Sequence, residues 1–439
     1  MQRALALDAS PPLSFSLRFF ITAPLFVIFA AFILLVAGPQ ALSSRWHPAI
    51  LAITHLLVLG TLAQTMIGAL LQILPVATGI TVFQLRPLVR LIHISLNAGT
   101  LLLAAAFLSG SAQLFFWASC LLTLSFGSFM FALAWGLWRD RHQQTKGAPT
   151  ILLAVRLALL SLFVTILLGL FLSTHVIFNW PLHRWLTNLH AGWGLFGWVG
   201  LLVVGISYQV IPIFQVTERF PDLMTKYLAA IIFALLIGLS FGLFSGQSQI
   251  INLFSYAIFL SFAAYALVAL NLLRHRKRPH PDTTTLFWLT AFFCLLFCLL
   301  IWTLQSQLRS PDLLRQLPLT LGFLAIFGFA WSAINGMLYT ILPFLLWYNA
   351  QRNAPIVIRG LPKVREYLSD TKARPQYYLH LLTVFSLGAA TLYPRALLYL
   401  AATVCLSSII WLYRNIFLAL SHYRQALQHI ALTVQKANK

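Results

Sequence analysis

The chain has 439 residues, of which 60% are hydrophobic and only 8% are charged, and its formal net charge is +21. A soluble globular domain carries about 25% charged residues, so this composition excludes a soluble fold and indicates a membrane protein. The positive charge does not indicate nucleic-acid binding, because the basic residues flank apolar segments and form no separate basic face.

Twelve apolar stretches are long enough to cross a bilayer, since a membrane helix needs about 20 apolar residues. Their Phe, Leu, Trp, Ala and Gly content suits helices, and the sequence lacks the alternating ten-residue segments of a transmembrane barrel. The sequence therefore predicts an all-α polytopic membrane protein. Its spans are expected near 16–37, 48–75, 89–109, 113–138, 150–174, 186–213, 226–244, 249–273, 285–306, 317–347, 377–393 and 396–420.

The basic residues predict the orientation of these spans. If the N-terminus is cytoplasmic, the loops on the other side contain only Arg45, Arg184, Arg309, Arg315 and Arg395. Lys and Arg accumulate in cytoplasmic loops, so we expect both termini in the cytoplasm. The lipid bilayer is the expected partner of the spans, and basic clusters at the span ends are expected to contact anionic headgroups.

A stripe of glycine and glutamine recurs in three spans. The first copy consists of Gly60, Gln64, Gly68, Gln72 and Pro75. The same frame returns at Gly197, Gly205, Gln209 and Pro212, and again at Gly328, Gly336, Thr340 and Pro343. This near-constant period indicates three repeats near 16–138, 150–273 and 285–420, within one membrane domain of residues 1–439. The spans then form three pseudo-symmetric groups of four, and the striped helix is the second in each group.

The stripe has two interpretations, and the sequence leaves both open. Glycines on a membrane helix allow a neighbouring helix to approach closely, and glutamines bridge helices by hydrogen bonds. Alternatively, the stripe faces into the bundle and lines a cofactor pocket, because an amide in hydrocarbon needs a partner or a cavity. In that case the candidate cofactor contacts are Gln64, Gly68, Gln72, Gly205 and Gln209.

Two of the histidines expected near the outer face are candidate metal or haem ligands. His55 and His190 lie 20 and 22 residues before the proline of their repeat. Their heights therefore differ by about 3 Å, which places both in one layer of the bundle. An imidazole at this depth is costly unless it ligates a metal or forms hydrogen bonds. His175 is a third candidate ligand, whereas His93 and His380 are expected to be interfacial anchors.

The acidic residues limit the possible functions. All eight lie outside the apolar spans, whereas a proton pump or proton-coupled carrier usually needs a carboxylate within the membrane. The sequence has no Gly-rich phosphate loop, nucleophile elbow or thiol redox pair, which argues against hydrolytic chemistry. Whether the chain is an enzyme stays open, and any catalysis is expected to be that of an oxidoreductase.

Twelve helices in three groups of four, with histidines on the second and sixth, resemble subunit I of the haem-copper oxidases. The stretches 55–75 and 190–215 carry this resemblance, and the NnrS-type haem and copper membrane proteins of the nitric-oxide response are a further comparison. The resemblance implies that His55 is an axial ligand of a b-type haem and that His190 matches a copper ligand.

The chain departs from this family at two helices. The tenth helix of the family carries two haem-ligating histidines, but Phe323 and Leu321 occupy the corresponding levels here. The seventh helix of the family adds copper ligands, but 226–244 contains no histidine. The resemblance therefore implies one haem, held by His55 with His190 or another outer histidine, with copper as a second candidate cofactor and without oxygen reduction.

Within this resemblance, the expected roles are electron transfer, a nitric-oxide or oxygen response, or haem and metal handling. A cytochrome or quinone would be the redox partner, and a bacterial inner membrane the location. Two alternatives stay open. One is a transporter or channel with a polar Gly- and Gln-lined path, although transporter repeats are usually twofold. The other is an assembly subunit that kept the fold and lost its cofactors.

Overall fold

The computed structural model describes residues 7–80, 82–83, 86–141, 149–307, 310–354 and 360–437. Within these ranges all regular structure is helical, which confirms the all-α prediction. Arg309, one of the five arginines assigned to the outer side, lies outside the described residues.

Within the described residues, twelve long helices follow one another along the chain. Eleven of those described are long and apolar enough to cross a membrane, which confirms the polytopic membrane fold. The remaining one, α11, has 23 residues, but its first two turns contain Asp370, Lys372 and Arg374. The helices are α1 Leu13–Ala37, α2 Pro48–Thr78, α3 Arg86–Ser109, α4 Ala112–Arg139, α5 Pro149–Phe178, α6 Arg184–Gln215, α7 Asp222–Ser245, α8 Ser248–Arg274, α9 Thr283–Leu304, α10 Leu313–Arg352, α11 Asp370–Leu392 and α12 Pro394–Ala437.

Local sequence explains where several helices begin and end. The Asp282 carboxylate accepts a hydrogen bond from the backbone N–H of Thr285 at 2.9 Å and caps the start of α9. Gly79 and Gly246 follow α2 and α7 with φ angles of 75° and 69°. These left-handed conformations favour glycine and stop the helix.

The three groups of four helices pack in the same order and close into a ring. In each group the second helix packs against the first, and the fourth packs against the third. Between groups, α4 packs against α5, α8 against α9, and α12 against α1. We call the side at which α1 begins the terminal side, and the side at which α2 begins the histidine side.

The second helix of each group contains a π-helical segment of eight residues: Leu56–Ala63 in α2, Trp193–Gly200 in α6 and Leu324–Trp331 in α10. Each segment begins 19 residues before the repeat proline, and its fifth residue is the first repeat glycine. The π segment of α10 contacts those of α2 and α6. The sequence period thus corresponds to a period in backbone geometry, with α2, α6 and α10 around a common axis.

The repeat glycines lie where the second helix of each group crosses the first. A Cβ atom at Gly68 would lie 2.8 Å from the Cβ of Phe19 on α1, and one at Gly205 would lie 2.4 Å from the Cβ of Ala154 on α5. Gly336 makes the equivalent contact with α9. Since real Cβ atoms essentially never approach so closely, these positions require glycine at the observed helix separation.

Two glutamines of the stripe, both in α2, also contact the first helix or the segment before it. Gln64 donates a hydrogen bond to the Thr22 hydroxyl of α1. Gln72 donates to the Ser10 hydroxyl at 2.6 Å and accepts from the Ser16 hydroxyl at 3.2 Å. These contacts favour the packing interpretation of the stripe over a cofactor pocket.

We expect Gly205→Ala to lower the free energy of unfolding by about 1–3 kcal/mol, because the new methyl group overlaps Ala154 and α5 must move. Gly127→Ala on α4 is the matched control, since no atom lies within 4 Å of a Cβ there. That change should leave stability unchanged or raise it by up to about 1 kcal/mol through helix propensity. Thermal unfolding of the detergent-purified protein measures both, and equal effects would contradict the close-contact interpretation.

Candidate functional site

Two histidines from different groups face each other on the histidine side of the bundle. His55 lies directly before the π segment of α2, and His190 lies three residues before that of α6. Their ring centroids are 6.3 Å apart and the ring planes differ by 21°. The two histidines that the sequence places in one layer are therefore direct neighbours.

Both imidazoles are oriented by backbone carbonyl groups. Nδ1 of His55 lies 2.7 Å from the carbonyl oxygen of Leu51, and Nδ1 of His190 lies 3.0 Å from that of Thr165 on α5. A carbonyl oxygen only accepts hydrogen bonds, so Nδ1 is the protonated nitrogen in both neutral rings. Nε2 then carries a lone pair, and neither Nε2 has a hydrogen-bond partner among the described residues.

The walls of the site come from residues without a recognisable motif. Phe107 of α3 packs on the His55 ring with centroids 4.9 Å apart and planes inclined by 30°. On α5, a Cβ atom at Gly169 would lie 3.1 Å from Cε1 of His190, so the missing side chain leaves room for the imidazole. No local sequence pattern marks Phe107 or Gly169, because their role depends on contacts between separate helices.

The histidine pair lies in the more exposed part of α2 and α6. Both imidazoles are half-buried. The neighbouring apolar residues on the two helices are half-buried as well, namely Leu57, Val58, Leu59, Leu195 and Phe196. On the terminal side of the same helices most residues are fully buried.

Two arginines lie beyond the histidines on the histidine side of the bundle. Arg45 lies three residues before the start of α2, and Arg184 is the first residue of α6. The Arg45 guanidinium is 4.1 Å from the Trp46 ring centroid, and that of Arg184 is 5.0 Å from it. Arg45 donates a hydrogen bond to the Asn188 side-chain oxygen at 2.6 Å. Neither arginine forms an ion pair with a described residue, and the buried Nε of Arg45 has no hydrogen-bond partner there.

Burial lowers the pKa of Arg45 from its ordinary value, and the nearby Arg184 guanidinium lowers it further. Two like charges near one tryptophan ring repel each other. An anion placed between them would relieve this repulsion and supply acceptors for the free donors. Arg45 and Arg184, which we call the arginine rim, therefore place positive charge beyond the histidine pair.

His175 does not join the histidine pair. It is half-buried near the end of α5, and its Nδ1 contacts the carbonyl oxygen of Trp180. His190 packs against Gly169 of the same helix. His175 lies six residues further along, which is about 9 Å in an α-helix.

The interpretation of His380 as an interfacial anchor is wrong. Helix α11 begins at Asp370 rather than near 377, so His380 lies deeper than expected and is fully buried. Its Nε2 is 2.7 Å from the Ser332 hydroxyl of α10, and the rings of Phe287 and Phe327 flank it.

Further buried polar side chains form a polar cluster along the seam between α10, α11 and α12 that also contains His380. Asn335, Gln376 and Asn415 are fully buried, and Gln376 donates to the Ser408 hydroxyl at 3.1 Å. Several of their polar atoms, and Nδ1 of His380, have no partner among the described residues. An unpaired buried polar group costs about 1–3 kcal/mol, and ordered water is the usual remedy. No local sequence pattern marks this cluster, because its members lie on separate spans.

Comparisons with other proteins do not identify the chain. No protein-family model matches the sequence, and no curated protein shows a significant match to it.

We expect Ser332→Ala to lower the free energy of unfolding by about 1–3 kcal/mol, because the buried His380 ring loses its hydroxyl partner. Ser407→Ala is the control, since that exposed hydroxyl bonds only the Thr403 carbonyl of its own helix. It should change stability by less than about 0.5 kcal/mol. Thermal unfolding in detergent measures both changes, and a neutral Ser332→Ala would show that this hydrogen bond is not needed.

Proposed function

We propose that this membrane protein binds one b-type haem through His55 and His190 and acts in electron transfer. The facing pair of imidazoles, each with Nδ1 on a backbone carbonyl and Nε2 free, carries this proposal. Metal-ligating histidines characteristically donate their second nitrogen to a carbonyl or carboxylate, which fixes the tautomer and ring orientation. The Nε2 lone pair of each imidazole is thus free to bind a metal.

The distance between the rings is close to that expected for two imidazoles that share a metal. If each N–metal bond is about 2.0 Å and each ring contributes about 1.1 Å, the centroids of two such rings would lie up to about 6.2 Å apart. The observed separation is 6.3 Å, and the two rings stack with their planes inclined by 21°. The imidazoles would therefore have to turn for both Nε2 atoms to reach one metal ion.

The donor set favours haem over a bare copper ion. A porphyrin supplies four nitrogens to its iron, so His55 and His190 would be enough to complete the ligand set of a haem. A copper or zinc ion usually takes three or four ligands from the protein. Among the described residues, no group of three His, Cys, Asp or Glu side chains is placed to hold an ion. Copper therefore has less support than haem.

The arginine rim also fits this cofactor. A b-type haem is an apolar ring with two carboxylates on one edge. The histidine site combines apolar neighbours with two arginines that form no ion pair with a described residue. His190 lies six residues into α6 from Arg184, which is about 9 Å along the helix. Arg45 and Arg184 would receive the carboxylates while the histidines hold the iron.

Two protein ligands on the iron favour electron transfer over gas chemistry. An iron with six ligands has no open position for oxygen or nitric oxide, and its axial ligands mainly set the reduction potential. A response to these gases would require one histidine to dissociate. A cytochrome or quinone partner, cytoplasmic termini and a bacterial inner membrane belong to this proposal.

The transporter alternative has less support from the packing. The polar stripe, which was its expected path, contacts the first helix of its group through Gly68, Gln64 and Gln72. These groups are therefore engaged in helix packing. The alternative of a cofactor-free assembly subunit differs from our proposal in whether haem is bound. A measurement of haem content therefore distinguishes the two.

We expect the purified wild-type protein to carry about one b-type haem per chain, and His55→Ala and His190→Ala to lower haem content about tenfold or more. His175→Ala is the control and should retain haem, because His175 lies outside the pair. A reduced-minus-oxidised spectrum with a haem-to-protein ratio measures this, with size-exclusion chromatography as a check of folding. A colourless wild-type protein from haem-sufficient cells, or unchanged haem in both variants, would overturn the assignment.

We expect Arg45→Met to keep the haem but lower its reduction potential, because loss of a nearby positive charge favours the oxidised, more positive iron. The shift should be on the order of tens of millivolts for a charge roughly 10 Å away. Lys226→Met at the exposed start of α7 removes the same charge at the terminal side and should change the potential little. Redox titration tests this, and equal shifts in both variants would contradict the arginine rim.

A further inference from the structure

The three striped helices line a second site, a partly open cavity of about 90 Å³. Thr65, Leu202 and Ala333 line it together, and each lies ten residues before its repeat proline. The residues nine, six, five and two positions before each proline also line the cavity in all three helices. Of the lining residues, only Phe20 and Trp288 come from other helices. The cavity therefore lies on the pseudo-threefold axis.

This lining is one face of each helix, distinct from the stripe. Positions that recur after one, four, five and eight residues share a helix face. The repeat glycines, seven and fifteen residues before each proline, instead contact α1, α5 or α9. Packing against the first helices thus holds the apolar faces of α2, α6 and α10 around the axis.

The cavity wall offers little to a polar ligand. The hydroxyls of Thr65 and Ser207 donate to carbonyl groups of their own helices at 2.8 and 2.7 Å. Ser207 also accepts a hydrogen bond from the Tyr265 hydroxyl at 2.7 Å. The other side chains lining it are aliphatic or aromatic, apart from the methionine sulfur atoms. A stable buried water needs about 2–4 polar partners, which this wall does not provide.

The size of the cavity limits its ligand. A volume of about 90 Å³ is well above the space that one water needs. It is smaller than the volume of about 150 Å³ of an engineered dry cavity in another protein, which binds benzene or xenon. Pockets for cofactors or drug-sized molecules are about 300–1,000 Å³. The cavity therefore excludes a haem or quinone ring and fits a molecule of a few atoms.

We propose that this axial cavity is a binding site for a small apolar molecule, of the class of dissolved diatomic gases. The aliphatic and aromatic side chains of the wall would bind such a molecule by dispersion.

The axial site does not depend on haem binding. The cavity begins ten residues before Pro75, and His55 lies 20 residues before it. The two sites are therefore about 15 Å apart along the helix. If the protein binds no haem, the proposal for the axial cavity still stands. If the cavity binds no gas, the haem proposal still stands.

Xenon is the probe for this site. We expect xenon-pressurised crystals of the full chain to show one xenon atom between α2, α6 and α10. Ala333→Leu should lower its occupancy about tenfold or more, because the larger side chain fills the cavity. Ala134→Leu is the matched control, since Ala134 lies exposed on α4, and it should leave occupancy unchanged. Leu338→Ala enlarges the cavity and should raise xenon occupancy, which keeps the test valid if Ala333→Leu does not fold.

Three outcomes would overturn the proposal. The first is ordered water or a lipid acyl chain in the axial cavity of the wild-type protein. The second is the absence of xenon there at a pressure at which other apolar cavities fill. The third is equal xenon occupancy in the wild-type, Ala333→Leu and Leu338→Ala proteins. Haem content, measured on the same samples, reports separately on the histidine site.

Discussion

The structure depends on the close approach of the second helix of each group to the first. At Gly68 and Gly205 the neighbouring side chains occupy the space that a Cβ atom would need. Because lipid tails are as apolar as leucine, helices in a membrane associate mainly through such tight packing and through hydrogen bonds like that of Gln72. Repeated three times, this contact fixes which face of α2, α6 and α10 turns away from the axis.

The same scaffold supports asymmetric chemistry. The π segments put three helices in register, and His55 and His190 lie next to the segments of α2 and α6. On α10 the corresponding levels carry Phe323 and Leu321, and Phe323 packs against Phe327 with ring centroids 5.6 Å apart. A symmetric bundle thus presents a site with two imidazoles between the first and second groups. The third group instead buries His380 in a polar cluster.

The sequence predicted the fold class, the spans and the layer of His55 and His190, because hydropathy and spacing along one helix are local properties. It left open whether Gly68 and Gln64 pack helices or line a pocket, since both roles need small and polar residues on one face. It placed His380 at an interface because charged residues mask the start of α11. The assignment of haem to His55 and His190 stays a prediction.

By itself, the sequence determined that this is a helical membrane protein with a threefold internal repeat. The length of the apolar stretches and the recurrence of Gly and Pro indicate this. Both can be read along the chain without knowledge of contacts between helices. The tertiary structure alone decided that Gly169 and Thr165 position His190, that Arg45 and Arg184 meet at Trp46, and that an apolar cavity lies on the axis. These features join residues from helices far apart in the chain, so no local pattern encodes them.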